Sequence, residues 1–188
     1  MIHLYLRIRL TQTVLLFNYS SSTVGTCDTE HEALCYIKHA IVASGSCKAI
    51  LIDIGSYDPP DHDHIDISHS QVVSPLSEDI MFPRYCARNH DPRPHDYPSR
   101  LSTQGSIAGV ISAGGSGNTG VCATAFRDAF PIGFPKLLVS TMAPGNTRHD
   151  VGETDMTMMY SVVDIAGMNA LFHTILGNAA VAIVGMTL

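Results

Sequence analysis

Residues 107–147 read IAGVISAGGSGNTGVCATAFRDAFPIGFPKLLVSTMAPGNT, and this stretch decides the fold. An apolar run with Ile107, Val110 and Ile111 leads into Gly114-Gly115-Ser116-Gly117-Asn118-Thr119-Gly120. Behind it Cys122, Ala123, Ala125, Phe126 and Ala129 repeat as a helix of small residues. That order is strand, tight turn, helix. Glycines let backbone approach a bound group closely, and the first amides of a helix point outward at the positive end of its dipole. Such a turn takes anions, phosphate or carboxylate above all. Ser116, Asn118 and Thr119 add short side chains that can cap the helix or donate to the same anion. The plainer alternative is a βα turn that binds nothing.

Two familiar motifs are excluded by what is missing. Gly115, Gly117 and Gly120 satisfy G-x-G-x-x-G, but the next strand, with Leu137, Leu138 and Val139, ends in Ser140 and Thr141 and not in the ribose-binding acid of a dinucleotide fold. No lysine follows the glycines as in a P-loop. A phosphate cradle without its own cation remains.

Upstream, Thr23 to Thr29 precede a predicted helix. Thr29 and Glu32 form a T-x-x-E capping box, Leu34, Ile37 and Ile41 recur at helical spacing, and Gly45 supplies the stop. The strand Ala49 to Ile54 follows. This is a βαβ unit, which implies a parallel sheet with right-handed crossovers. The fold class is therefore α/β: a Rossmann-like, open, mostly parallel sheet flanked by helices. The turn Gly25 to Thr29 then opens on the same carboxyl edge as the Gly-rich turn, where ligands of open α/β sheets bind. Asp53, at the end of the second strand, reads as a plain strand-end acid.

Downstream, Lys136 to Ser140 form a strand, and Thr141 to Arg148 again collect hydroxyls, a glycine and a base. Three polar turns on one edge make a site more convincing than any one alone. A short strand is expected over Met156 to Tyr160. A last helix is expected from an Asp164 N-cap, with Ile165, Met168, Leu171, Phe172 and Ile175 on one side. Met156, Met158, Met159 and Met168 read as core filling. The uncharged end, Ala179 to Leu188, reads as a surface that something else covers.

Of the remaining chain, residues 1–22 are a poorly defined N-terminal segment. It lacks acids, as a mitochondrial presequence does, but Arg7 and Arg9 split its apolar run, against a secretory signal. Residues 23–188 form the α/β domain, with an irregular loop at about 56–104. The run Asp58 to His64 sits in a Pro-rich context that gives a metal no rigid frame, so no metal site is expected.

A length of 188 residues suits about one domain, and a net charge of −6 gives no footprint for nucleic acid or an anionic membrane. Five cysteines without a C-x-x-C pair argue against a disulfide framework and a zinc ribbon, which makes a cytoplasmic setting the default.

The segments VGTCDTEHEAL, LIDIG, VISAGGSGNTG, AFPIGFPKLLVSTMAPGNT and VGETDMTMMYSVVDIAGMNALFHTILGNAA, followed by AIVGM, occur in that order. They resemble the N-terminal, Tm-1-like ATP-binding domain of uncharacterised protein family 0261. The resemblance is continuous over about 107–187, good over 23–55, and absent over 1–22 and most of 75–100. It implies the Rossmann-like half of a two-subdomain ATP-binding module, with ATP, with or without Mg²⁺, as the cofactor. The phosphate contacts it implies are Gly114, Gly115, Ser116, Gly117, Asn118 and Thr119. Thr26, Asp28 and Thr29, with Ser140, Thr141, Gly145, Asn146 and Thr147, would line the rest of the cleft.

Asp155 and Asp164 match recurring acids of the family to which no role attaches. Glu30 stands where the family has lysine, and Asn146 where it has aspartate. The second subdomain is not in the chain, which suggests a truncated gene product whose cleft is completed by a homo-oligomer or by a missing subdomain. The expected function is a nucleotide-binding domain of a larger or oligomeric assembly. The alternative is a protein-interaction module in which nucleotide is structural or lost. No Ser-His-Asp or Cys-His set stands at local spacing, so catalytic residues are unknown.

Overall fold

The computed structural model describes residues 22–25, 27–53, 64–66, 68, 108–164 and 167–188, with backbone alone at 22–25, 28, 29 and 129. The elements are β1 (Ser22–Gly25), α1 (Cys27–Ala43), β2 (Leu51–Asp53), β3 (Val110–Gly114), α2 (Ser116–Ala129), β4 (Lys136–Ser140), α3 (Arg148–Val151), β5 (Thr157–Tyr160) and α4 (Ala170–Thr187). The predicted irregular loop, which contains the Asp58 to His64 run, and Thr26 lie outside the described residues, save 64–66 and 68.

The strands form one sheet in the order β2-β1-β3-β4-β5, and every pairing is parallel. The register aligns Val24 with Ile52 and Ser112, Ser112 with Leu138, and Leu138 with Met158. All residues of β2, β3 and β4 are buried, as expected of a parallel sheet covered on both faces. From β1 the chain crosses through α1 to one side of the sheet; from β3 it crosses through α2 to the other. Right-handed crossovers running in opposite directions put α1 and α2 on opposite faces. Accordingly α1 and α4 pack together, while α3 sits on α2. The reversal between β1 and β3 is the topological switch point of this strand order.

The core unites Leu34, Ile37 and Ile41 of α1, Val110 and Ile111 of β3, Phe126 of α2 and Phe172 and Leu176 of α4. Met156 is buried in it, and Met158, Met159 and Met168 pack against it. On the outer edge, Asp66 holds β2: its amide donates to Leu51 O at 2.9 Å, and Leu51 N donates back to Asp66 Oδ2 at 2.6 Å.

Two helix starts differ from the sequence-based expectation. Helix α1 begins at Cys27 and not beyond Thr29, and it breaks at Glu30 (φ −121°, ψ 17°). The cause is tertiary. Pairing of Gly25 with Asp53 brings that carboxylate to the head of α1, where Oδ1 accepts the Cys27 amide at 3.1 Å. A local capping box cannot anticipate an acid 26 residues away.

Helix α4 begins at Ala170 and not at Asp164. Asn169 Oδ1 accepts the Phe172 amide at 2.9 Å, and Gly167 at φ +89° excludes a helix running through from 164. The buried side is Phe172, Leu176, Ala179, Ala180, Ile183 and Val184, and Leu171 faces out. The run from Ala179 is thus mostly helix, with Ala179, Ala180, Ile183 and Val184 in the core. By length and composition alone α4 could cross a bilayer (mean hydropathy 1.6), but this buried side packs on α1 and β4.

Opposite the carboxyl edge, Lys136 opens β4 with its side chain fully buried. Its ammonium lies 2.7 Å from Asp155 Oδ1 and donates to the carbonyls of Pro131 (2.7 Å) and Phe134 (2.9 Å). Asp155 Oδ2 also accepts the Gly133 amide. These bonds close the α2–β4 loop over the amino ends of the strands.

Candidate functional site

Because all five strands run one way, the turns after β1, β3 and β4 open on a single edge. They differ in what already occupies them. At the head of α1 the first amide is taken by Asp53, an acid with no exposed surface. At the head of α2 the N-cap is Gly115, no side chain caps the helix, and the ladder starts with Thr119 N donating to Gly115 O at 2.9 Å. The amides of Ser116, Gly117 and Asn118 precede that first bond and stand at the positive end of a 14-residue helix.

The glycines here divide into two kinds. A Cβ on Gly114 would lie 2.2 Å from Asn118 Nδ2, so this position needs glycine to let α2 turn back tightly on β3. A Cβ on Gly115 or Gly117 would meet nothing within 4 Å. Their emptiness faces outward and leaves room for a ligand against the amides.

Three candidate side chains turn inward. Asn118 is buried and donates from Nδ2 to Ser112 Oγ at 3.1 Å; Cys122 Sγ donates to the same oxygen at 3.2 Å. Thr119 Oγ1 donates to Gly115 O at 2.7 Å and lies 2.6 Å from Ser140 Oγ, which in turn accepts the Met142 amide at 2.9 Å. With the threonine proton spent on Gly115, Ser140 is the donor of that pair. These residues shape the Gly-rich turn and tie it to the turn after β4.

Thr141, next to Ser140, is therefore close to the Gly-rich turn. Gly145, Asn146 and Thr147 lie along the connection to α3. Asn146 Oδ1 accepts the Arg148 amide at 3.3 Å. Arg127, in the last turn of α2, donates to the His149 and Asp150 carbonyls and so fixes α3 at the far end of α2. Asp28 and Thr29 lie in the first turn of α1, with side chains outside the described residues. Asp155 belongs to the opposite edge.

Among the described cations, Lys38 is paired with Asp66, Lys136 with Asp155, and Arg127 with α3. Those three side chains are committed elsewhere; Arg148, exposed at the start of α3, is the described cation that follows the turn after β4, and the amides of the Gly-rich turn are the other positive groups on this edge. The sequence reading missed Ser112, Asp53 as a helix cap, and Ser161, which is buried after β5. Ser112 carried a signal, as the polar residue in an otherwise apolar buried strand.

Burial pushes the Cys122 thiol up to about 12, with the Ser112 hydrogen bond pulling weakly the other way. Thiolate is the reactive form. Iodoacetamide at pH 8 should therefore leave Cys122 unmodified in native protein and alkylate it in urea, as peptide mass mapping would read. Alkylation of Cys122 at the rate of the half-buried Cys47 would contradict this packing.

The sequence profile of the uncharacterised protein family (UPF0261) N-terminal domain matches residues 21–188. The chain belongs to this family. A UPF0261 protein of Clostridium tetani (strain Massachusetts / E88) is 40% identical over 168 residues, covering 87% of this chain and 41% of that protein. A UPF0261 protein of Mesorhizobium japonicum is 33% identical over 179 residues, with the same coverage. The ToMV susceptible protein tm-1(GCR26) of Solanum lycopersicum is 42% identical over 90 residues, 48% of this chain and 12% of that protein. This UPF0261 chain thus spans about 41% of the length of the two family proteins it matches.

Proposed function

We propose that this UPF0261 chain binds a nucleotide, ATP, with its phosphates on the amides of the turn at residues 114–118 and Mg²⁺ supplying the counter-charge. One observation carries the reading: an uncapped helix start, faced by open space at Gly115 and Gly117, stands beside the switch point of a parallel sheet. The neighbouring helix start, closed by Asp53, leaves the α2 turn as the place for a phosphate. The chain acts as the nucleotide-binding part of a larger or oligomeric assembly in the cytoplasm.

A titration with fluorescent ATP tests it. Saturable binding is expected, weakened about tenfold or more by Gly115→Asp, which sets a carboxylate where the phosphate would sit. That is a loss of at least ~1.4 kcal/mol. The melting temperature should hold, since the new side chain enters empty space. Absence of saturable binding, or a variant that binds like the parent, would overturn the reading.

The second reading, a protein-interaction module, draws on α4. Leu171, Val181 and Met186 are exposed on a helix that carries no lysine, arginine or acid. A partner retained equally after ATP removal would favour it.

A further inference from the structure

The carboxyl end of β5 carries a backbone conformation that its sequence disfavours. Val162 sits at φ +65°, and the Val163 amide donates back to Ser161 O at 2.7 Å. This is a γ-turn of the rare hand, centred on a β-branched residue. Buried Ser161 holds it: its amide donates to Ser140 O at 3.2 Å and its hydroxyl to Val163 O at 2.9 Å. Strain of this kind persists where surrounding bonds over-determine it, and it gathers at ligand sites.

The turn forms one wall of a cavity of about 240 Å³ that is open to solvent and lined by Thr141, Tyr160, Val162, Val163 and Asp164, with Tyr160 and Val162 about half exposed. Among the described residues no cation lines it, which does not suit a second phosphate. It offers an aromatic ring, two valines and a carboxylate, which suit a flat uncharged ring bearing hydroxyls. It lies two strands from the Gly-rich turn, about 10 Å at the usual strand spacing. A continuous path joins the two places: Gly115 O to Thr119, Thr119 to Ser140, and Ser140 O to the Ser161 amide.

We propose that this cavity takes the nucleoside end of the nucleotide, with Tyr160 against the base and Asp164 accepting from the ribose hydroxyls. The inference rests on the phosphate reading above and adds the direction in which the ligand lies, from β3 across β4 to β5. The Val162 turn is a positioning element that fixes the wall.

Calorimetric titration of the 188-residue chain with MgATP and, separately, with inorganic tripolyphosphate tests it. Tyr160→Ala and Val162→Gly should each weaken ATP about tenfold, within the range of one lost base–aromatic contact, and leave tripolyphosphate unchanged. Gly115→Asp should weaken both ligands. The parent should prefer ATP to 2′-deoxy-ATP, and Asp164→Asn should lose that preference. If ATP binding depends on Gly115 while Tyr160→Ala and Val162→Gly bind like the parent, or weaken both ligands alike, the nucleoside site is wrong and the phosphate site stands. If the parent binds neither ligand, both fall.

Discussion

Asp155→Ala should lower the melting temperature by roughly 2–6 °C, from a loss of about 1–1.5 kcal/mol at 2–4 °C per kcal/mol for a domain of this size, the cost of a buried pair being reduced by solvent because the Asp155 side chain is 39% exposed. Truncation leaves the Lys136 ammonium with only the Pro131 and Phe134 carbonyls as protein partners, and water reaches it only through the place that Asp155 vacates. An uncompensated buried charge costs more than its salt bridge contributed. Adding Lys136→Met should recover part of the loss, so the double variant should be more stable than Asp155→Ala alone. Simple addition of the two single effects in thermal melts would contradict this account.

The pH dependence has a definite sign. The Lys136 ammonium, bonded to Asp155, holds that carboxyl down at about 2 against an ordinary 3.8, with burial opposing it and the Gly133 amide assisting to a lesser degree. A depressed carboxyl contributes stability above its unfolded value and loses it as pH falls through the folded one. The pair therefore weakens between about pH 4 and pH 2, and Asp155→Asn should flatten the acid side of the stability curve there.

Gly114→Ala should cost about 3 kcal/mol, the upper end for overpacking a close-packed site. The new methyl would lie within 2.4 Å of three atoms of the Asn118 side chain, which is itself bonded to Ser112 and Cys122. Relief requires α2 to move off β3. Gly117→Ala, three residues on, should instead stabilise by about 0.5–1 kcal/mol, because alanine is the better helix former and its methyl meets nothing. Urea unfolding of the two variants separates the roles: one glycine serves packing, the other leaves room. Equal effects at both positions would mean that the turn is merely loose.

Much of the fold was legible because a parallel sheet writes itself in buried apolar runs. Val110–Ile111, Leu137–Val139 and Leu51–Ile52 announced their strands, and the Gly114–Gly120 run announced the turn after one of them. Helix starts set by distant residues were not legible. Asp53 caps α1 from a neighbouring strand, and Gly167 moves the start of α4 six residues beyond Asp164. In the candidate site, Asn118, Thr119 and Ser140 stood out as polar residues beside glycines, but sequence cannot say which way a side chain points. All three are spent on holding the turn. Val162 gave the opposite signal, since a β-branched residue forecasts strand.

The hydroxyl pair of Thr119 and Ser140 has a consequence for anyone transplanting parts of this scaffold. A loop lifted from a relative to alter ligand choice at α2 would arrive without its strut, because half of that strut belongs to β4. The two segments form one cassette, and exchange should move them together.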